Sequence, residues 1–481
     1  MNKAPFHHAE LVQIFGENAC QALAPSLRID GVSTDTRTLE AGNIFVALRG
    51  ERFDGHSMVR EALEKGAGAA IVESSSATDI TDKSAPLLTV ANSLSALGAL
   101  AHFHRRRFDI PIVAVAGSAG KTTTKEMTAR LLEEHFTVLK TEGNFNNQIG
   151  VPLTLLRLSA TQTAAVIEIG TNEPGEIEIL AEMVAPTHGI ITNIGKEHLE
   201  KLIDENGVEY EETALFRYLS DHSGTAFVNM NDLRLRKYYR SGWVGYGLAE
   251  NSITADITGT FTLKPTTHGI VKITNRTTAQ TLEAHLQSVG ITGVRNAIAA
   301  AAVGFGLELT ADKIQRGLEG FQPEASDAGY GRMVAGEFDL PGNRTITLLN
   351  DCYNANPTSM YAALETLQST HAARHIALLG DMRELGAVSF DEHLALLNTL
   401  GHSSWLDMVI LTGTEMHLAF TQWTKEQGSK EQGSREKICF CDTHAKAATM
   451  LLARLETADV LLVKGSRGVR LEQVLTLLES Q

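Results

Sequence analysis

Short runs of consecutive apolar residues alternate along this chain with amphipathic stretches, and that alternation predicts an α/β protein. In the first hundred residues, NIFVALRG (43–50) and GAAIVES (68–74) read as strands on either side of the helical MVREALEKG (58–66). SLSALGALAHFHRRRF (93–108) predicts a helix with a basic end. Asp109 and Pro111 follow it, and the strand IPIVAVAG begins at once, so a domain boundary is expected near 108. From 110 to about 325 the pattern repeats as strand, Gly turn, helix. IVAVAG leads into KTTTKEMTARLLEEH, AAVIEIG (164–170) leads into EIEILAEMV, and GIITNIG (189–195) follows. Near-continuous apolar strands between helices predict a parallel sheet covered on both faces. RNAIAAAAVGFGL (295–307) and KIQRGLEGF read as further helices. From about 333, TITLLND (345–351), HIALLGD (375–381), DMVILTG (407–413) and DVLLVKG (459–465) predict a second, doubly wound sheet. The expected division is 1–108, 109–330 and 331–481. The polar KEQGSKEQGSREK (425–437) repeats EQGS and reads as a solvated loop or frayed helix end.

A length of 481 residues fits three domains, each able to bury its own core. Lys and Arg total 42 against 57 Asp and Glu, a formal charge of −15. That balance argues against nucleic acid or an anionic membrane as partner, because both need a positive field. An anionic substrate must be caught by local devices: helix N-termini, single cations and metal ions. Four Cys exclude a disulfide scaffold and fit a reducing compartment. Cys439 and Cys441 form C-x-C near His444, but no second pair exists and KICFC alternates like a strand, so a strand is expected there rather than zinc. Glu10 interrupts the N-terminal stretch, which lacks the apolar core of a secretory signal, and no run of 18 apolar residues occurs. The expectation is a cytoplasmic monomer.

The strongest chemical signal is AVAGSAGKTTTKE (114–126). A strand ends at Gly117, Ser118, Ala119 and Gly120 turn, and Lys121, Thr122 and Thr123 open a helix. Phosphates need this order: backbone N–H groups wrap the anion, Lys121 neutralises it, and the Thr122 hydroxyl can ligate Mg²⁺. Val115 stands where the strict eight-residue motif has Gly, so the match is the shorter G-x-x-G-K-T. Glu168 closes one neighbouring strand and His198 lies just past another. Each is either a metal residue or, on the plainer reading, a helix cap and a surface histidine.

Several motifs together resemble the Mur ligases. These are GSAGKTTTKE (117–126), TEGNFNNQIGVP (141–152), EIGTNEPGEI (168–177) and TNIGKEHLE (192–200). DCYNANPTSM (351–360), LGDMRELG (379–386) and VKGSRG (463–468) resemble the MurF type, and STDTR (33–37) with FVALRGERFDGH (45–56) is similar to that type's UDP-binding domain. The resemblance implies an ATP-dependent ligase that joins D-alanyl-D-alanine to a UDP-N-acetylmuramoyl-tripeptide through an acyl phosphate. It implies ATP phosphates on Lys121 and the 117–123 backbone, and Mg²⁺ on Thr122 and Glu168, with a second Mg²⁺ on His198. Asn296, Tyr353, Asn354 and Asn356 resemble residues that hold adenine and ribose, and Arg332 one that approaches the nucleotide on closure. Thr34, Asp35, Thr36 and Arg37 would cradle the uridine diphosphate, and Asn144, Asn146 and Asn147 belong to the substrate-binding set.

Three departures stand out. Glu212 occupies the place of a lysine that the family carbamylates, KLID (201–204) replaces a Gly-rich loop, and Thr292-Gly293 replaces His-Asn. Glu212 is either a substitute carboxylate for the second Mg²⁺ or part of a solvated acidic helix start with Glu209 and Glu211. The rival readings are another ligase of the superfamily such as a folylpolyglutamate synthetase, a P-loop switch protein, and a catalytically silent relative.

Overall fold

The computed structural model describes residues 3–50, 53–77, 85–249, 254–263, 268–323, 333–426 and 437–480. Three large sheets follow one another along the chain. The first is four-stranded and parallel, in the order Gly31–Ser33, Asn43–Val46, Ala69–Glu73 and Leu87–Val90. The helix Ser93–Arg105 closes this part, Asn92 capping its start by accepting from Ser95 N–H. Arg105 is buried in it and donates to the Val184 and Ala185 carbonyls at the end of a central helix, binding the first two units together.

The second sheet has nine strands, and its apolar centre follows from composition. Every residue of Ile112–Ala116 and of Ala164–Glu168 is buried, as a strand covered by helices on both faces requires. Val138–Lys140, Ala164–Glu168, Ile112–Ala116, His188–Ile191, Thr225–Asn229, Val244–Leu248 and Ile257–Leu263 run parallel in that spatial order. His268–Asn275 and Gln280–Val289 then continue the sheet antiparallel. This meander corrects the expectation of strand–turn–helix repeats up to 325. The reason is a period of two: Leu282, Ala284 and Leu286 are buried while Glu283, His285 and Gln287 are exposed. The Ala-rich helix Gly290–Gly306 is buried along nearly its whole length and packs on the helix Lys121–Leu132.

The third sheet orders Val334–Leu340, Arg344–Asp351, Val460–Lys464, His375–Leu379, Met408–Leu411 and Ile438–Phe440. All pairs are parallel except the first. Ile438–Phe440 confirms the strand expected over the C-x-C pair, and Cys439 Sγ lies 3.1 Å from Met450 Sδ. Most of the 425–437 repeat lies outside the described residues. Among the described residues no helix is long and apolar enough to cross a membrane.

Candidate active site

The parallel strands of the second and third sheets turn their carboxyl ends toward one cleft, where open α/β sheets place ligands. The cleft has a volume of about 440 Å³. Its floor is the loop 117–120 leading into the helix Lys121–Leu132. Gly117 and Gly120 have φ of 114° and 82°, a left-handed backbone that β-carbons disfavour. A Cβ at Gly117 would also strike Thr192, and one at Gly120 would strike Asn296. The end of the strand His188–Ile191 braces the loop from behind. Asn193 Oδ1 accepts from Ala119 N–H at 3.1 Å, Asn193 O accepts from Ser118 N–H at 2.9 Å, and Ser118 Oγ accepts from Gly195 N–H at 2.8 Å.

Lys121 Nζ donates back to the Gly117 carbonyl and lies 3.4 Å from Glu197 Oε2. Burial lowers its pKa, but the carboxylates of Glu197, Glu212 and Glu168 outweigh that and leave it raised, so the ammonium stays charged. Thr122 Oγ1 donates to Glu168 Oε1 at 3.1 Å, and Asn146 Nδ2 donates to the same oxygen at 2.9 Å. Behind them Lys125, wholly buried, donates to the carbonyls of Thr141 and Gly143, each at 2.8 Å. Its ammonium is also 2.9 Å from Glu126 Oε1 and 3.6 Å from Glu168 Oε2.

Glu212 is fully buried in the last turn of the helix Glu205–Glu212, whose start is capped by Asp204. The solvated helix start expected for Glu209, Glu211 and Glu212 is therefore corrected, because all three are buried at the other end. Each has a specific partner. Glu209 binds Arg234, Glu211 accepts the N–H groups of Gly175 (2.7 Å) and Ile177 (2.8 Å), and Glu212 Oε2 accepts from Gly117 N–H at 2.7 Å. Burial pushes the Glu212 carboxyl well above the usual carboxylate range, with Lys121 opposing and Glu197 reinforcing. Glu212 is not among the residues lining the cleft; it sits against the phosphate loop. His198 does line the cleft, in a left-handed conformation with φ 49°. Its Nδ1 is 2.8 Å from Glu384 Oε2, contributed by the third unit, and its Nε2 is 3.8 Å from Glu197.

From the third unit, Tyr353, Asn354 and Asn356 line the cleft opposite the loop. Asn356 caps the helix Pro357–Ser369 by accepting from Ser359 N–H at 2.8 Å. Asp351 pairs with the buried Lys464 at 2.6 Å, and Lys464 also donates to the Asn354 carbonyl. A second cavity of about 410 Å³ adjoins the first and shares Ala119, Thr292 and Asn296 with it. Asn231, Asp232, Tyr246 and Tyr361 line it. Asn144 and Asn147 line the cleft too, although Asn147 Oδ1 also accepts from the Ile149 and Gly150 N–H groups where the helix Gly150–Leu155 begins. Thr34, Asp35, Thr36 and Arg37 lie past the strand Gly31–Ser33 and do not line the cleft. There Arg37 pairs with Asp35 and holds its carboxyl down at about 2. Arg332 lies outside the described residues.

Three family models match the chain in order: Mur ligase family, catalytic domain, over 28–131; Mur ligase middle domain over 115–304; and Mur ligase, glutamate ligase domain, over 338–467. The UDP-N-acetylmuramoyl-tripeptide–D-alanyl-D-alanine ligase of Escherichia coli (strain K12) is 33% identical over 463 residues, 94% of each chain. This chain belongs to the Mur ligase family, in its MurF type. The ligase of the same description from Bacillus subtilis is 30% identical over 448 residues, covering 93% of this chain and 92% of its own. MurF from Acinetobacter baumannii superposes with a TM-score of 0.84 at 29% identity over all of both chains. MurF from Thermotoga maritima, solved with ADP, gives 0.79 at 27% identity over 93% of this chain and 97% of its own.

In this Mur ligase the donor set fits a hard cation. Glu168 lines the cleft and its Oε2 is buried without a hydrogen-bond partner among the described residues, whereas the Glu212 carboxyl lies against Glu197, and burial together with that neighbour holds it well above the usual carboxylate range. Among the described residues no group of three or more His, Cys, Asp or Glu forms a ready cage. Mg²⁺ binds through one or two carboxylates, substrate phosphates and waters, and Glu168 beside the Thr122 hydroxyl offers one such carboxylate on the cleft wall. Pattern reasoning missed Lys125, Glu197, Asp351, Glu384 and Lys464. All five stood inside the quoted motifs, and Glu197 directly precedes His198; membership of those motifs was the available signal.

Proposed function

We propose that this Mur ligase joins D-alanyl-D-alanine to UDP-N-acetylmuramoyl-tripeptide, with ATP as the energy source, in peptidoglycan precursor synthesis. The carrying observation is that Lys121, Thr122, Glu168 and His198 from the middle sheet meet Tyr353, Asn354 and Glu384 from the last sheet in one cleft. The ATP phosphates lie on the 117–123 backbone and Lys121, with the base in the adjoining cavity beside Asn296. Thr122 and Glu168 hold one Mg²⁺ and His198 a second; the ions supply charge neutralisation at the transferring phosphoryl group. A carboxylate oxygen of the tripeptide attacks the γ-phosphorus, the bond to ADP breaks, and an acyl phosphate results. The dipeptide amine then attacks the acyl carbon, loses a proton, and phosphate leaves. Lys121 stabilises the charge that develops in transfer, and the facing third unit excludes water from the acyl phosphate.

Glu212 supports this reaction from beneath the loop, where its carboxyl stands in the place of the carbamate, needs no CO₂ and accepts from Gly117 N–H. Asp35 and Arg37 hold the uridine diphosphate end. The unit boundaries are set near 108 and 330, a reading supported by the succession of three sheets along the chain. The enzyme acts as a cytoplasmic monomer; its four cysteines, all unpaired, fit the reducing compartment. Mass spectrometry of a reaction with ATP and both substrates tests the assignment. A nucleotide heavier by the dipeptide less one water is expected, and unchanged nucleotide alongside unchanged ATP would refute it.

A further inference from the structure

We infer that Glu384 is a positioning residue for His198: reaching in from the third unit, it accepts the ring's Nδ1–H and leaves Nε2 as the nitrogen that receives the second cation. This deepens the ligase reading above and rests on it. Glu384 Oε2 lies 2.8 Å from His198 Nδ1, and His198 Nε2 lies 3.8 Å from Glu197 Oε2. A neutral imidazole carries one N–H, so a ring that donates through Nδ1 has its lone pair on Nε2, on the side of Glu197. Histidine ligands to metals donate their other nitrogen to a carboxylate or carbonyl in this way, which fixes both the ring and its tautomer.

The surrounding backbone is built for this meeting. His198 and Glu384 both hold a left-handed conformation, φ 49° and 65°, which residues with a β-carbon disfavour and which clusters at functional positions. The Glu384 carbonyl also accepts from Glu200 N–H at 3.4 Å, so the same two segments are joined twice. They run so close that a Cβ at Gly386 would stand 2.8 Å from the Glu200 Cα. Behind Glu384, its loop is tied into the third unit. Met382 N–H donates to Nε2 of the buried His393 at 3.0 Å, and Arg383 N–H donates to Ser466 Oγ at 2.9 Å.

His198 belongs to the middle unit and Glu384 to the third, so the ring is held only while the two units face each other. Docking of the third unit thereby completes the second cation site, whereas the first, on Thr122 and Glu168, lies wholly within the middle unit.

The test uses Mn²⁺ as probe, with a non-hydrolysable ATP analogue and the tripeptide nucleotide bound to the whole chain. Electron paramagnetic resonance counts the ions, and spin-echo modulation reports a coordinated imidazole nitrogen. Wild type should bind two Mn²⁺, the weaker one carrying the nitrogen signal, and His198→Ala should lose that signal. Glu384→Ala should weaken the second ion by about tenfold or more, the range expected for a group behind a metal ligand, and leave the first within about twofold. Glu384→Gln keeps an acceptor oxygen without the charge and should fall between. A second ion held by Glu384→Ala with wild-type affinity and nitrogen signal would overturn the proposal. So would equal weakening of both ions, which would give Glu384 a merely structural role. A wild type without nitrogen-coordinated Mn²⁺ would also overturn it, while the ligase reading stands or falls separately on dipeptide ligation by the same enzyme.

Discussion

Lys125→Met should destabilise the middle unit severely, although it changes no residue assigned to ATP. Lys125 is sealed from solvent, and methionine conserves most of its volume, so a cavity adds little. What is lost is polar. The carbonyls of Thr141 and Gly143 each lose a charged donor at 2.8 Å, and an orphaned buried acceptor costs about 1–3 kcal/mol. Glu168, itself 1% exposed, loses the cation 3.6 Å from its Oε2, while Glu126 keeps Lys140. Removing one partner of a buried ion pair costs about 3–5 kcal/mol, and because the same ammonium makes all these contacts the penalties overlap rather than add. A net loss of about 3–5 kcal/mol, at ~2–4 °C per kcal/mol for a unit of this size, lowers its melting temperature by about 6–20 °C. Differential scanning calorimetry of the full chain measures this, with Lys125→Arg recovering part of the loss. A transition within about 2 °C of wild type would refute the reasoning that this buried cation holds Glu168 and the 141–143 loop together.

Lys121→Ala should cut ligation by about 10²-fold or more with an unchanged circular dichroism spectrum, because it removes one preorganised charge from the phosphate loop; turnover within about threefold of wild type would contradict that assignment. Above about pH 8, where the Glu212 carboxyl is ionised, Glu212→Gln should raise the Mg²⁺ concentration needed for half-maximal ligation, with bicarbonate without effect on wild type. Glu211→Gln should instead lower the melting temperature and leave the Mg²⁺ titration alone, since Glu211 anchors Gly175 and Ile177 at the start of the helix Glu176–Val184. Equal shifts of both Mg²⁺ titrations would sink the distinction. His188 offers a pH test, since burial pushes its pKa from 6.5 down to about 4. The unfolded chain takes up that proton first as pH falls, so the contribution is complete above 6.5 and lost as pH falls through about 4, up to about 3 kcal/mol in all. His188→Phe keeps the stacking on Phe227 and should flatten the fall in urea midpoint between neutral pH and about pH 4; an unchanged fall would assign the acid sensitivity elsewhere.

The phosphate loop was legible because its chemistry is local. A buried strand, two glycines, a lysine and a threonine occupy consecutive positions, and the backbone geometry at Gly117 and Gly120 follows from them. The acidic cluster was not legible, because its meaning depends on partners far along the chain. Glu212 meets Gly117, and Glu211 meets the turn before Glu176. A charged residue with a buried partner looks, in sequence, like any solvated one. Asp204 held the missing clue: as the N-cap it starts the helix there and puts Glu212 in its last turn. The antiparallel edge at 257–289 was readable from strict alternation, but the preceding strand–helix repeats made a continued parallel pattern the natural expectation.

The central claim is that ATP phosphorylates the tripeptide carboxylate before the amine arrives. Tripeptide nucleotide labelled with ¹⁸O in its terminal carboxylate tests this directly, by mass analysis of the phosphate released during ligation to D-Ala-D-Ala. Transfer of one labelled oxygen into that phosphate is the expected result, since the attacking oxygen leaves with phosphorus. Phosphate free of label, released while peptide product accumulates, would contradict the acyl phosphate and with it the account of the cleft.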